Sequence, residues 1–187
     1  DNTSELISKL DDPRVKFHNL KSRGNYPDDI TSRWFVAGNK PANYALNMVK
    51  GDWIAPMDDD DIFTPDHIEK LLDFAQKGNY EFVAGLYEEE RDGVRNILGQ
   101  KSDDYPEIGG HSTWLYRSYL NFFKYNKHCW RKSWNKPGDI DMQLRMKDAG
   151  VRLEVLNEIV TYVLPRPGVD TIGLDAHKSE EQRDKVL

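Results

Sequence analysis

The sequence predicts an α/β protein, on three observations. Apolar runs of strand length, at 53–57 and 82–87, alternate with segments whose apolar residues recur at helical spacing, at 41–50 and 65–77. Each helical segment is closed by a glycine, Gly51 or Gly78. The first apolar run leads directly into four consecutive aspartates, Asp58, Asp59, Asp60 and Asp61. Ligands of open α/β sheets bind beyond the ends of their strands, so this acidic tip is the candidate site. With 187 residues the chain is long enough for one domain with its own core, and no repeat or linker divides 1–187.

The elements follow in order. Leu6, Ile7 and Leu10 lie at helical spacing, and Asp11-Asp12-Pro13 ends that segment. Residues 15–20 alternate apolar and polar and predict a strand. Residues 21–32 are polar, contain Gly24 and Pro27, and predict a long loop. In 41–50, Ala42, Ala45, Leu46 and Val49 form one helical face. After the acidic tip, Thr64 is the expected N-cap and Pro65 the first helical residue. The helix 65–77 is expected to bury Ile68, Leu71, Leu72 and Ala75. Residues 82–87 form a second buried strand, and Arg91-Asp92-Gly93-Val94 predicts a hairpin returning through 95–98. A Gly109-Gly110 turn precedes a short strand at 113–116, and a helix is expected over 117–125. An aromatic, basic loop spans 126–137. Residues 139–149 form a helix closed by Gly150, and 151–164 form a strand pair or one long irregular strand. The chain then becomes turn-rich and polar.

Composition narrows the function. A net charge of −6, with only a short basic stretch at 14–23, disfavours nucleic acid as partner. The single Cys129 leaves no internal disulfide and no cysteine-rich zinc site. No apolar run approaches the roughly 18 residues of a membrane span. A reducing, cytoplasmic setting is the expectation, with a membrane-peripheral position compatible with it. The 5 Trp, 9 Tyr and 7 Phe suit a site that stacks on sugar-like surfaces, or an ordinary core.

Four adjacent carboxylates call for a counter-charge. Two unit charges 4 Å apart repel by about 1 kcal/mol in water and about 4 kcal/mol at an effective dielectric of 20. A hard cation with oxygen ligands, Mg²⁺ or Mn²⁺, is the natural partner; a solvated or capping role is the alternative. In an extended tip, alternation places Asp58 and Asp60 on one face and Asp59 and Asp61 on the other.

Several features then line up in order: Gly38-Asn39-Lys40-Pro41-Ala42-Asn43 opening a helix, Lys50-Gly51-Asp52, an apolar strand, Met57 followed by the four aspartates, Pro65, and later Gly138-Asp139-Ile140-Asp141 with Arg145. Together they resemble a family 2 glycosyltransferase of the GT-A fold, a Rossmann-like mixed sheet flanked by helices. The resemblance covers essentially the whole chain, but the family's first β-α-β portion has no counterpart in it. The resemblance implies sugar transfer from a nucleotide-diphosphate donor, a UDP-sugar by expectation, to a carbohydrate or lipid-linked acceptor, with inversion and with Mn²⁺ or Mg²⁺ as cofactor. It implies that Asp58 holds the donor ribose and shares the metal with Asp60, that Asp59 lies between them, and that Asp139 is the catalytic base. Gly138 stands where the family has an acidic residue, which brings in Asp141 as a substitute. Lys40 and Asn43 are expected near the donor, His111 and Trp114 at the acceptor, and His177 as the late metal ligand. Arg145 is expected to pair with Asp139 or Asp141. Trp130 and Trp134, with Arg131 and Lys132, are candidates for stacking on a sugar or a lipid-linked acceptor. An inactive cation- or carbohydrate-binding module and a nucleotidyltransferase are the competing classes. An incomplete sheet would also present an edge open to self-association.

Overall fold

A computed structural model of the chain describes residues 2–22, 24–91, 94–102, 108–131 and 136–163. Its elements are α1 (Thr3–Ser8), α2 (Ile30–Phe35), α3 (Asn39–Leu46), β1 (Trp53–Ile54), β2 (Asp61–Phe63), α4 (His67–Gly78), β3 (Phe82–Arg91), β4 (Val94–Leu98), β5 (Trp114–Arg117), α5 (Gly138–Asp148) and β6 (Leu153–Val163). Short 3₁₀ turns lie at His111–Thr113, Ser118–Phe122 and Cys129–Arg131.

The sheet is mixed and built around β3. Its order is β1-β5-β3-β6-β2, with β4 also on β3. The pairing of β3 with β6 is parallel, and the others are antiparallel. The first half of β3 pairs with β5 (Phe82↔Tyr116 to Ala84↔Trp114) and the second half with β4 (Tyr87↔Leu98 to Arg91↔Val94). The change falls at Gly85, where the β3–β6 register also shifts. A side chain at Gly85 would collide with Val160 of β6, so this bulge depends on the glycine.

Period-two alternation sends residues to two cores. Phe82 and Ala84, with Trp114 and Tyr116, pack against Leu46 of α3 and Met142 and Met146 of α5. Val83 and Leu115 face the other way, onto Leu71 and Ala75 of α4. The sheet is thus covered on both faces. Full burial of a residue such as Leu71 or Phe82 contributes about 1.5–3 kcal/mol. A third cluster joins Phe35 and Val36, in and beside α2, to Cys129. Burial raises the Cys129 thiol to a pKa of about 11, with the Asp141 charge adding to it, so the thiol is an inert packing group.

Several expectations are corrected. Residues 15–20 form no strand: no neighbour pairs with them among the described residues, and Val15 and Phe17 are each 41% exposed. Alternation without a pairing edge does not make a strand. The predicted loop 21–32 ends inside α2, whose N-cap Asp29 accepts from Ser32 N–H at 2.8 Å. Helix α3 spans Asn39–Leu46 rather than 41–50. Helix α4 begins at His67, after Asp66, and Thr64 instead ties the preceding turn to β6 through its N–H to Val160 O (2.9 Å). Its buried face is accordingly His67–Leu71–Ala75, and Ile68 is exposed. His67 serves as a core residue, donating from Nδ1 to Val160 O (2.8 Å) and stacking on Phe63 at 3.6 Å. In the expected helix 117–125 there is a 3₁₀ turn at Ser118–Phe122, whereas the second alternative for 151–164, one long strand, holds as β6 over Leu153–Val163. The hairpin closes where expected, with Arg91 paired to Val94. No helix among the described residues is long and apolar enough to cross a membrane.

Candidate active site

The strand β1 runs off the sheet at Ile54, and the chain turns at Asp59-Asp60 rather than staying extended. Asp61 N–H closes the turn onto Asp58 O at 3.4 Å, and Asp61 immediately opens β2. The four aspartates therefore do not alternate between two faces. Asp58 and Asp59 line a cleft of about 1040 Å³, while Asp60 lies outside its lining. Asp61 is turned under the tip. Burial raises its carboxyl to a pKa of about 6, against the hydrogen bond from Ser112 and the His111 charge, with Asp58 and Asp60 raising it further.

Ser112 and His111 bring the opposite wall to this turn. The Asp58 N–H donates to Ser112 Oγ (2.9 Å), so the buried hydroxyl joins the backbone of Asp58 to the side chain of Asp61. Ser112 is itself placed by Thr161 of β6, whose hydroxyl donates to Ser112 O (2.8 Å). His111 Nδ1 lies 2.9 Å from Asp58 Oδ1, and its Nε2 lies 2.7 Å from Tyr125 Oη. Burial disfavours the imidazolium, but the Asp58 hydrogen bond and charge, with Asp139 and Asp61 beyond, outweigh it and raise the His111 pKa. The preceding turn needs its glycine. Gly109 has φ +63°, and a Cβ there would strike Thr113 and Ala84.

Asp139 lines the same cleft from the first turn of α5, where the helix dipole favours a carboxylate. Its charge reaches both His111 and Tyr125, and its Oδ1 accepts from Ile140 N–H (2.9 Å). Asp141 is corrected. It is 1% exposed, bound by Arg145 Nε at 2.8 Å, and does not line the cleft. Arg145 also donates to Lys124 O (2.6 Å), so this pair locks α5 to the 3₁₀ turn region before it. The glycine at 138 has a steric cause. A Cβ there would collide with the amide of Asn39, which is buried and donates to Asn126 O (3.1 Å). An acidic side chain does not fit at 138 while Asn39 holds that place.

The other expected site residues divide. His111 and Trp114 line the cleft, though Trp114 is 2% exposed and belongs mainly to the core. Asn43 does not line this cleft. It clamps the backbone of Tyr125, accepting from its N–H and donating to its O, both at 2.8 Å. Lys40 donates to Ser22 O (2.6 Å) and Oγ (2.9 Å), and lines a separate cleft of about 670 Å³ with Trp130 and Arg131. Arg131 lies over the Trp130 ring at 4.7 Å. His177, Trp134 and Lys132 lie outside the described residues. Sequence reasoning missed Tyr125, Ser112 and Asn39 as builders of the site. Only Asn39, at the start of a glycine-led helix, carried a local signal.

Among the described residues no group of three or more His, Cys, Asp and Glu is arranged to hold a metal ion. The chemistry of the tip nevertheless suits a hard cation. Asp58 and Asp59 offer carboxylate oxygens in the cleft, and Mg²⁺ is usually held by one or two carboxylates together with substrate phosphates. The residues fit a cation that completes its shell on a diphosphate.

The family model for glycosyl transferase family 2 matches residues 40–146, more than half of the chain. The chain is 33% identical over 89 residues to the uncharacterized glycosyltransferase MG060 of Mycoplasma genitalium, covering 44% of this chain and 26% of that protein. The Mycoplasma pneumoniae homolog is 33% identical over 90 residues, covering 46% and 26%. The matches thus span about a quarter of the length of these relatives. Among solved structures, S. aureus TarS 1-349 in complex with UDP-GlcNAc superposes with a TM-score of 0.60 at 14% identity, covering 100% of this chain and 58% of that one. That likeness shows a shared fold, which is the GT-A-like mixed sheet.

Proposed function

Because the chain belongs to glycosyl transferase family 2, we propose that its cleft transfers a sugar from a nucleotide-diphosphate donor to an acceptor hydroxyl. The observation that carries this reading is the convergence of Asp58 and Asp59 with Asp139 on one cleft, from elements far apart in the chain. The cleft's volume matches the upper end of small-molecule sites. The UDP-GlcNAc bound to TarS supports a UDP-sugar as donor.

In this reading Asp58 and Asp59, with Asp60 beside them, hold Mn²⁺ or Mg²⁺. When bound, the cation neutralises charge developing on the leaving diphosphate. Asp139 accepts the proton of the attacking hydroxyl. An ordinary carboxylate is ionised near pH 7 and ready for that role. With the base on one wall and the diphosphate on the other, attack comes opposite the leaving group and inverts the anomeric centre. Asp141 and Asn43 support this arrangement without touching substrate. Self-association through the outer edge of β4, with its exposed Val94 and Ile97, belongs to the same proposal.

The test is calorimetric titration of the full-length protein with UDP, with and without Mn²⁺, followed by UDP-release assays on a panel of UDP-sugars. Metal-dependent UDP binding, weakened in Asp58→Asn, is the expected result. Failure of UDP and GDP to bind with or without metal would sink the transferase reading.

A further inference from the structure

We propose that His111 is a positioning residue for Asp58, holding the donor-side carboxylate to the acceptor-side wall. This rests on the nucleotide reading of Asp58 and assigns the histidine a place in it. Both ring nitrogens are engaged: Nδ1 with Asp58 Oδ1 at 2.9 Å, Nε2 with Tyr125 Oη at 2.7 Å. A carboxylate only accepts, so Nδ1 carries the proton shared with Asp58 and the phenol completes the ring at the other side. The ring is also held edge-on by Trp114 (5.2 Å) and Tyr125 (5.6 Å), and its side chain is 17% exposed. It has no second orientation that keeps both bonds. Tyr125 is in turn fixed through its backbone by Asn43 of α3.

The consequence is a continuous chain of contacts from α3 through Tyr125 and His111 to Asp58. The acidic tip is a turn between a two-residue and a three-residue strand, closed by the Asp61 N–H to Asp58 O bond. Asp58 is held there by two neighbours in sequence, His111 on the side chain and Ser112 on the backbone. A carboxylate whose rotamer is locked in this way meets its ligand with less ordering to do on binding. His111 thus acts on substrate through Asp58, not as an acceptor contact.

The experiment is a double-mutant cycle on the full-length protein, read by the Kd for UDP with Mn²⁺ and by the ¹⁵N shift of His111 Nδ1 in the ligand-free protein. His111→Ala is expected to weaken UDP by about tenfold, the scale of a hydrogen bond to a charged group, while His111→Asn, which keeps a donor near Nδ1, recovers most of it. Tyr125→Phe is expected to cost about threefold. In an Asp58→Asn background His111→Ala should add less than about twofold, because the partner is already gone. In turnover the loss should appear in KM for the donor and not in kcat. Equal loss in both backgrounds, or no recovery in His111→Asn, overturns the proposal. If Asp58→Asn leaves UDP binding unchanged, the nucleotide reading fails instead. The Nδ1 resonance then decides the coupling: no shift on Asp58→Asn overturns it, and a shift sustains it.

Discussion

Two acidic stretches border the cleft, 58–61 and 139–141, and they are built in opposite ways. The first sits on a turn between two short strands, and its carboxylates are held by groups brought from elsewhere: His111, Ser112 and, behind them, Thr161. The second sits in the first turn of an eleven-residue helix, and its carboxylates are sorted by the helix itself. Asp139 faces the cleft. Asp141, two positions on, points into the interior and is met by Arg145 one turn later. A loop carboxylate depends on distant partners for its place, whereas a helical one inherits its direction from the 3.6-residue period. The tip therefore borrows its geometry from distant partners, while α5, a regular helix, is the rigid side.

The sharpest way to break this comparison is Asp139→Asn. If the rigid side carries the base, transfer should fall by about 10²–10⁴-fold while UDP affinity stays within about twofold, measured by UDP release and calorimetry. Retained turnover would move the base elsewhere. Next in size is Asp141→Ala. Asp141 is buried but Arg145 is about a third exposed and keeps its bond to Lys124 O, so loss of this charged hydrogen bond is expected to cost about 1.5–3 kcal/mol in urea unfolding. A loss of under about 1 kcal/mol would mean that the pair does not lock the helix. Gly138→Ala should cost about 1–3 kcal/mol through its collision with the Asn39 amide, and less in an Asn39→Ala background. Equal costs in the two backgrounds would remove Asn39 as the cause.

The smallest effect belongs to the tip and is pH-dependent. Asp61 has a folded pKa of about 6, raised from 3.8 by burial. The folded protein thus keeps a proton that the unfolded chain has released. Its favourable contribution is complete below about pH 4 and is lost as pH rises through about 6. Asp61→Asn removes this dependence. In protein stripped of divalent cations, the gain in denaturation midpoint of Asp61→Asn over the native chain should be larger near pH 7 than near pH 4. A gain independent of pH would show that the carboxyl is not kept protonated by its surroundings.

Much of the site was legible before any coordinates. The apolar run ending in aspartates marked one wall of the cleft, because such runs end where a strand leaves the sheet. Asp139 was singled out by the family resemblance alone, and it stands, as that resemblance implied, at the start of a helix. His111 and Trp114 were found by their place after a Gly-Gly turn, although the role expected for the histidine differed. Lys40 and Asn43 lie outside the lining of the Asp58–Asp139 cleft for a common reason. Each stands on a helix opening near the tip in sequence, but the side chains reach Ser22 and Tyr125, and sequence distance does not reveal such partners. The strand expected at 15–20 failed similarly, since its pattern fits a strand but no described edge receives it.

Local chemistry alone determined the α/β class, the helix periods, the hairpin at 91–94 and the identity of both acidic stretches. These depend on residues within a few positions of one another. Which carboxylate meets the cleft, which has its pKa raised by burial, and which is spent on an ion pair was decided only when β6, the His111–Thr113 turn and α5 packed around β3. Burial and partner charge set the state of an ionisable group, and both come from residues dozens of positions away.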